Sequence, residues 1–187
     1  NVFSHKGRLG KLTEEQRTLI TNLVKAIRNH PAFLGYYVAD EPENHDHSPE
    51  WYREIRELIL ELDPYHPCIM LNQSYDAIAR YAKGADITFP DCYPNFQTDN
   101  TSYKPIWRLS EFAKEATRLL PAWFAPQAFC WGDYQKKGKL SRPPDFEELR
   151  NQIYQVLANN VKGIILYSYM DWSQLYHPLR IGPAFIG

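Results

Sequence analysis

The segment Ala39-Asp40-Glu41-Pro42 places two carboxyl groups directly after an apolar run, Phe33–Ala39, which has the length and composition of a β-strand. Side chains alternate along a strand, so Glu41 is expected on the same face as Tyr37 and Ala39. The following proline favours an extended backbone at Glu41. A carboxyl group among aromatic rings loses solvation, which raises its pKa and suits it to proton donation. The simpler alternative is an exposed acidic turn.

Five segments of strand length alternate with helical segments along the chain. The strand segments are Phe33–Ala39, Pro67–Leu71, Ala85–Phe89, Pro121–Phe129 and Gly163–Tyr169. Apolar strands that alternate with helices indicate a parallel sheet covered on both faces, so the fold class is α/β. No glycine-rich phosphate loop follows any strand, and polar, acidic and aromatic residues gather at the strand ends. This pattern favours part of a (β/α)8 barrel over an open doubly wound sheet.

The ends of the helical segments are also legible. Thr13-Glu14-Glu15-Gln16 has the pattern of a capping box, and Ser48 before Pro49 suits an N-cap followed by a first-turn proline. Acidic residues at 145–148 suit the start of another helix, where the helix dipole favours negative charge.

Length and composition exclude several classes of protein. The 187 residues suffice for about one domain with its own core. The 21 basic and 22 acidic side chains leave a net charge of −1 without a basic run, so nucleic acid is not an expected partner. No apolar stretch is long enough to cross a bilayer, so no membrane partner is expected either.

The sequence predicts no metal ion and no cofactor. Three cysteines are too few for a disulfide scaffold and lack the spacing of a metal site. His45-Asp46-His47 could offer two imidazoles and a carboxylate, but ligands at i and i+2 do not close a site by themselves, and we interpret this stretch as a solvated loop.

The residues from His30 to Pro42 resemble the fourth strand of clan A (β/α)8 glycoside hydrolases, where an Asn-Glu-Pro or related motif supplies the general acid/base. Downstream segments look like further barrel units of bacterial glycosyl hydrolases: Asp63-Pro64-Tyr65-His66-Pro67, Asp91-Cys92-Tyr93-Pro94, Gln127-Ala128-Phe129 and Gly163–Tyr169. The resemblance covers about residues 15–172 and implies strands four to eight of the barrel.

Residues 1–187 are therefore expected to form an incomplete barrel domain of about five strands, without the first three strands and the last helix. The chain begins at Asn1 and stops within an apolar stretch, which we interpret as a piece of a larger protein. Such a piece needs the missing part of the barrel for a closed fold. Alone, it is expected to be poorly soluble and inactive, because its edge strands are bare.

The resemblance implies a carbohydrate substrate and assigns roles to the strand ends. Glu41 is implied as the general acid/base that protonates a glycosidic oxygen of an oligo- or polysaccharide. Asp40 stands where the clan usually has a sugar-binding asparagine, and Gln127 stands where it has a nucleophilic glutamate. Because an amide is a poor nucleophile, a second carboxyl group must come from elsewhere. The candidates are Asp91, which is our first choice, then Asp133 and Asp171.

The amide at position 127 leaves alternatives open. An N-acetyl group of the substrate, oriented by Gln127, could replace an enzymic nucleophile, or the missing strands could supply one. A barrel that binds carbohydrate without cleaving it is the second hypothesis, and another barrel enzyme, such as a lyase or isomerase, is the third. The compartment also stays open, with a secreted or periplasmic location one option.

Residues expected to bind the sugar lie just beyond the strands. Their rings suit the C–H faces of a pyranose and their polar groups suit its hydroxyls, although each ring could equally pack a loop and Asp91 could cap one. The expected binding residues are Asp40, Tyr93, Gln127, Trp131, Tyr169 and Asp171.

Overall fold

The structure is a computed structural model that describes residues 10–45, 47–134 and 140–168, apart from the side chains of Asp133 and Tyr134. The chain divides into two compact units. The first unit is Asn1–Pro90 with Glu115–Ala122, and the second is Asp91–Lys114 with Trp123–Gly187.

Helices and parallel strands alternate through the described residues, which confirms the α/β class. The helices are α1 (Glu14–Ile27), α2 (Pro49–Leu62), α3 (Tyr75–Tyr81), α4 (Arg108–Leu119), α5 (Trp131–Tyr134) and α6 (Phe146–Ala158). The strands are β1 (Tyr36–Asp40), β2 (Cys68–Asn72), β3 (Ile87–Pro90), β4 (Trp123–Phe124) and β5 (Gly163–Ile164). Two 3₁₀ turns lie at Pro42–His45 and Ala82–Gly84. In neither unit do the described strands close into a barrel.

The predicted helix ends are confirmed by side-chain hydrogen bonds. The Thr13 side chain accepts from the backbone N–H of Gln16, and the Gln16 side chain accepts from the backbone N–H of Thr13. Ser48 caps α2 in the same way by accepting from the Trp51 N–H. Each cap satisfies amide groups that the first helical turn leaves without a partner, which fixes where the helix begins.

The first unit contains the three-stranded parallel sheet β1-β2-β3. Helices α2 and α3 pack against the strands of this sheet, and α1 packs against α2. The core buried there includes Val24 of α1, Trp51 and Ile55 of α2, and Met70 of β2. No helix among the described residues is long and apolar enough to cross a membrane.

A bulge in β1 changes which side chains share a face, and the predicted alternation is wrong at this point. Tyr37 pairs with Ile69, but the next partner of β2, Met70, pairs with Ala39, so Val38 is an extra residue in the strand. The bulge places Ala39 on the buried helix side of the sheet and Asp40 on the face of Tyr37.

The second unit contains β4 and β5, which pair in parallel. Single bridges extend this pairing from Asp91 to Ala125 and from Gln127 to Tyr167. The predicted strands Pro121–Phe129 and Gly163–Tyr169 are therefore present, but their regular part is shorter than predicted. A proline at position 126 has no N–H to donate, which interrupts the ladder between β4 and the Gln127 bridge.

Two cysteines of the chain are unreactive core residues. Burial raises the pKa of the Cys68 thiol to about 12 and that of the Cys92 thiol to about 11. Both thiols therefore stay protonated at neutral pH and pack as small apolar groups.

Gly35 lies where β1 approaches the backbone that enters β2. A Cβ atom at this position would lie 2.7 Å from the carbonyl oxygen of Pro67 and 3.2 Å from the Pro67 ring. Because Tyr36 also donates its backbone N–H to that carbonyl, the oxygen cannot move away without loss of the hydrogen bond. The missing side chain thus permits the close entry of β1.

We predict that Gly35→Ala lowers the free energy of unfolding by about 1–3 kcal/mol, because the methyl group overpacks a rigid backbone contact. Urea denaturation measures this change. Gly10→Ala is the matched control, since a Cβ at Gly10 meets no atom within 4 Å and should leave the midpoint nearly unchanged. Equal effects of the two substitutions would contradict this account.

A buried carboxylate ends α2 and organises the turn that follows. The hydroxyl of Tyr36 donates to Asp63 Oδ2 over 2.6 Å, and His66 Nδ1 lies 2.8 Å from the same oxygen. The backbone N–H of Tyr65 donates to Asp63 Oδ1. Burial alone would raise the pKa of the Asp63 carboxyl, but these hydrogen bonds outweigh it and the pKa is lowered.

Because the folded-state pKa of Asp63 lies below its unfolded value, its ionised form stabilises the fold above the unfolded pKa. This contribution is lost as the pH falls below about 4 towards the lowered pKa. We expect Asp63→Asn to lower the free energy of unfolding at neutral pH. The variant should also lose less stability than the wild type between about pH 5 and about pH 2, the acid range in which such groups titrate. Thermal unfolding followed across this range tests both expectations, and parallel profiles for variant and wild type would refute them.

Candidate functional site

Glu41 follows directly after β1, but its backbone is not extended as predicted. Its φ angle is 46°, in the left-handed region. This conformation is costly for a residue with a side chain, and more so before proline. The predicted extended geometry is therefore wrong, because the chain turns at Glu41 into the 3₁₀ turn Pro42–His45 rather than continuing the strand.

Three hydrogen bonds hold Glu41 in this conformation. Its backbone N–H donates to the carbonyl of Leu71 in β2, and its carbonyl accepts from the backbone N–H of Asn44. The Asn44 side chain donates to Glu41 Oε2 over 2.7 Å. Residues held in sparsely populated backbone regions cost about 1–3 kcal/mol each and cluster at active sites. The half-buried Glu41 carboxylate is therefore both accessible and fixed at the end of a parallel strand.

Asp40 is the second predicted residue in this unit. Its side chain is exposed and shares a sheet face with Tyr37, which is itself exposed. The ring of Tyr37 meets Phe89 of β3 edge-on at 6.3 Å. The bulge at Val38 thus places the Asp40 carboxylate, rather than the Glu41 carboxylate, on the face opposite to the helices.

Glu43 has a structural role in the first unit that the sequence reading did not predict. Its Oε1 accepts from the backbone N–H groups of Gln73 and Ser74, and its Oε2 accepts from the side chain of Asn72. The carboxylate therefore ties the 3₁₀ turn after β1 to the loop after β2.

Asp91 follows β3 and is almost fully buried, with 2% of its surface exposed. Its backbone pairs with Ala125 after β4 in a parallel bridge. Tyr93, two residues later, is half-buried. Both residues belong to the second unit, whose strand ends carry the larger group of predicted site residues.

Four rings form an aromatic cluster in the second unit, consisting of Tyr93, Phe129, Trp131 and Tyr167. Tyr93 lies 5.0 Å from Phe129 in an edge-to-face contact and is stacked on Tyr167 at 6.1 Å. Phe129 also contacts Trp131 at 5.1 Å and Tyr167 at 5.5 Å. Within the cluster, Phe129 is buried, Trp131 is half-buried and Tyr167 is exposed. The cluster offers amphipathic ring surface to a ligand.

Gln127, two residues before Phe129, is completely buried. Its Oε1 accepts from the backbone N–H of Asn95, and its Nε2 donates to the carbonyl of Phe129. Its own backbone N–H and carbonyl are bonded by the side chain of Gln152 from α6. The amide therefore holds two loop segments together, and its polar atoms are engaged by the backbone.

Several predicted residues lie outside the described part of the chain. Tyr169 and Asp171 lie beyond residue 168, and the side chain of Asp133 is not described. Among the residues that the structure describes, no group of three or more His, Cys, Asp and Glu side chains could hold a metal ion.

The residues that the sequence reading missed in this site are Phe129, Tyr167, Asn95 and Gln152. Tyr167 lies in the predicted fifth strand, and Gln152 lies on the buried stripe of α6 with Leu149 and Val156. A glutamine within an apolar helical stripe is a readable signal for a buried hydrogen-bonding role. Asn95 adopts a left-handed φ of 56°. Asparagine tolerates this backbone region better than most residues, and its residue type is the only sequence signal for the turn.

Comparison with known proteins places this fold among glycosidase structures. No protein-family model and no curated protein matches the chain. A candidate alpha-L-fucosidase from Bacteroides thetaiotaomicron VPI-5482 is similar in structure, with a TM-score of 0.56 and 12% sequence identity over 92% of this chain and 61% of that one.

Two glucuronidases are also similar in structure. The beta-glucuronidase of an uncultured Clostridium sp. has a TM-score of 0.52 and 14% identity over 84% of this chain and 31% of its own. The beta-D-glucuronidase of Dictyoglomus thermophilum has a TM-score of 0.51 and 15% identity over 83% of this chain and 29% of its own. The chain thus spans less than two thirds of each of these proteins, and at these identities the likeness is one of fold.

We predict that Gln127→Glu destabilises the protein at neutral pH and less so in acid. One carboxylate oxygen would face the Phe129 carbonyl, which cannot donate, at the present 2.9 Å. Leaving a buried group unsatisfied costs about 1–3 kcal/mol, and more when it is charged. The new carboxyl would have a raised pKa when folded, so the penalty grows as pH rises above about 4.3, the ordinary pKa of Glu.

Urea denaturation of this variant and of the wild type at about pH 4.5 and about pH 7.5 measures the effect, because the new carboxyl group is expected to lose its proton between these two pH values. Gln16→Glu is the control, because glutamate serves equally well at that position of a capping box. A Gln127→Glu variant as stable as the wild type at neutral pH would mean that position 127 accommodates a carboxylate.

Proposed function

We propose that this chain is part of a (β/α)8 glycoside hydrolase that cleaves an O-glycosidic bond of an oligo- or polysaccharide, with Glu41 as general acid/base. The observation that carries the proposal is the left-handed backbone of Glu41 at the carboxyl end of a parallel strand. In barrel enzymes, catalytic groups lie at these strand ends. The fold likeness to glycosidases supports the same reaction class.

In this mechanism the Glu41 carboxyl donates its proton to the glycosidic oxygen as the bond to the anomeric carbon breaks. In a retaining enzyme the resulting carboxylate then takes a proton from the water that hydrolyses the glycosyl-enzyme intermediate, whereas in an inverting enzyme the second carboxylate takes that proton. The hydrogen bond from Asn44 orients the carboxyl, and the turn at Pro42 fixes its backbone. Proton transfer requires such fixed geometry more than it requires any particular neighbour.

Asp91 is the proposed second catalytic group. Its burial at the end of β3 supports this role, because a carboxylate in a water-poor site interacts strongly with the positive charge of an oxocarbenium-like transition state. In a retaining enzyme it would act as nucleophile, and in an inverting enzyme as the base that activates water. Assistance by a substrate N-acetyl group stays an alternative to an enzymic nucleophile.

The sugar is proposed to lie against the aromatic cluster, with Tyr93 and Trp131 facing its C–H groups. Gln127 contributes by holding the loops of the cluster, since its amide is engaged by backbone groups. Asp40 is proposed to accept sugar hydroxyl groups from its exposed position. Tyr169 and Asp171 are proposed binding residues from the segment beyond the described residues.

We further propose that other barrel strands and a last helix complete the domain. Apolar side chains are exposed on the first and last long helices, which supports this. Leu19 and Leu23 of α1 are 46% and 40% exposed. Phe146, Tyr154 and Leu157 share one side of α6, and Tyr154 is 67% exposed. Apolar stripes of this kind suit burial against neighbouring helices.

A carbohydrate-binding barrel without catalysis is the second candidate function. The occupied amide of Gln127 favours it, because a residue with both polar atoms bonded to backbone cannot attack an anomeric carbon. The two functions differ in one measurable property: the hydrolase releases reducing sugar, whereas the binding protein retains an intact glycan.

We predict that Glu41→Gln in the intact protein abolishes hydrolysis while the protein keeps its fold and its glycan affinity. Loss of a general acid/base reduces turnover about 10²–10⁴-fold or more. Release of reducing sugar from a panel of oligosaccharides, α-L-fucosides and β-D-glucuronides included, measures turnover, because a sugar leaving group needs the proton that Glu41 donates. Circular dichroism checks the fold.

Glu43→Gln is the matched control, because Glu43 lies two residues away and its carboxylate accepts hydrogen bonds from Asn72, Gln73 and Ser74, which lie at the end of β2 and in the loop after it. It should cost stability and leave turnover close to that of the wild type. Unchanged turnover in Glu41→Gln would remove Glu41 from the mechanism. A wild-type protein that binds glycans without releasing sugar would establish the second candidate instead.

A further inference from the structure

The loop after β3 folds back on itself as a small hairpin, residues 94–104. Backbone bonds join Gln97 to Thr101, Tyr103 to Asn95 and Lys104 to Pro94, and Phe96 bridges Ser102. The hairpin begins directly after Tyr93, so its placement sets where the first ring of the aromatic cluster lies. We call it the 94–104 hairpin.

A second segment, residues 140–143, runs antiparallel along this hairpin. Thr98 donates its backbone N–H to Leu140, and Arg142 donates its backbone N–H to Phe96. The side chain of Ser141 also donates to Asn95 Oδ1. These bonds join the hairpin to the segment that leads into α6.

Arg142 contacts both the hairpin and α6 through its guanidinium. Its Nε donates to the carbonyl of Gln97 over 3.0 Å, and its Nη atoms form a bidentate pair with Glu148 at 2.6 and 2.7 Å. The guanidinium also lies 5.6 Å from the centre of the Phe96 ring. The planar fork of arginine allows these contacts at once.

Two side chains of α6, Glu148 and Gln152, take part in the same set of hydrogen bonds. Glu148 accepts from the backbone of Asp145 in the capping box of α6, which fixes its carboxylate. One turn later, Gln152 bonds the backbone of Gln127, and the Gln127 side chain bonds Asn95 at the base of the hairpin. The hydrogen bonds therefore form a closed circuit from α6 through the hairpin to Gln127 and from there back to α6.

We propose that Arg142 is a positioning residue of the carbohydrate site, which acts by clamping the 94–104 hairpin to Glu148 and so fixes Tyr93 against the aromatic cluster. This proposal rests on the proposed function in one respect, namely that the ligand of the aromatic cluster is a carbohydrate. Arg142 lies in the same unit as the cluster, and its side chain contacts the hairpin and Glu148 rather than the four rings. Its effect on binding would pass through the hairpin.

The test compares Arg142→Ala with the wild type in the intact protein. Without the clamp, the hairpin gains freedom, so we expect the KM for the oligosaccharide that the wild type hydrolyses to rise about tenfold. The value of kcat should stay within about twofold, because Arg142 does not touch the reacting atoms. Backbone amide exchange at Asn95 and Thr98 should be about tenfold faster.

Arg142→Lys tests the geometry of the clamp, because lysine keeps the charge without the fork that reaches Gln97 and both Glu148 oxygens. We expect its KM to lie nearer to that of Arg142→Ala than to the wild type. A lysine variant with wild-type KM would mean that charge alone suffices, which would overturn the proposed geometry.

Arg56→Ala is the matched control for a general loss of stability. Arg56 and Asp86 form a comparable ion pair in the first unit, with side chains 28% and 33% exposed against 21% and 20% for Arg142 and Glu148. This variant should lower the melting temperature without a change in KM. An unchanged KM in Arg142→Ala, whether or not exchange is faster, overturns the positioning role.

Failure of the proposed function has a different signature. If the wild type hydrolyses none of the glycosides, the hydrolase proposal fails. Amide exchange alone then tests whether Arg142 holds the 94–104 hairpin in place. Faster exchange at Asn95 in Arg142→Ala would support the link from Arg142 through the hairpin to Gln127, whereas unchanged exchange would overturn it.

Discussion

Parallel strand pairing is the constraint on which the candidate site depends. When strands run in the same direction, their carboxyl ends leave the sheet at one edge, so residues distant in sequence emerge together. In the first unit the β1–β2 pairing holds Glu41 through the carbonyl of Leu71. In the second unit the bridge from Gln127 to Tyr167 brings together two parts of the aromatic cluster. The chemistry at each edge follows from which side chains the loops carry.

Buried glutamines serve as connectors in the second unit. An amide offers a donor and an acceptor without charge, so it can bond two backbone groups inside a core at little desolvation cost. Gln152 does this for the backbone of Gln127, and Gln127 does it for Asn95 and Phe129. A carboxylate could satisfy only donors, which explains why an amide suits a position between an N–H group and a carbonyl.

The elements of the fold could be predicted because their signals are local. The capping box at Thr13, the N-cap at Ser48 and the apolar strands each depend on neighbours within a few residues. The bulge at Val38 could not be predicted, because it depends on how β1 registers against β2. The same holds for Glu41, whose left-handed backbone is held by Leu71 and Asn44, and for the pairing of Arg142 with the loop at Gln97. Residue types near the site were readable, but the contacts that orient them were not.

The left-handed backbone at Glu41 has an evolutionary consequence. A glycine at this position would adopt the same φ angle without the Cβ clash, which costs a residue with a side chain about 1–2 kcal/mol in the left-handed region. Laboratory selection for thermal tolerance alone would therefore favour glycine at position 41, whereas selection for the proposed hydrolysis would retain glutamate. The two regimes would drive position 41 in opposite directions, as happens where enzymes trade robustness for activity.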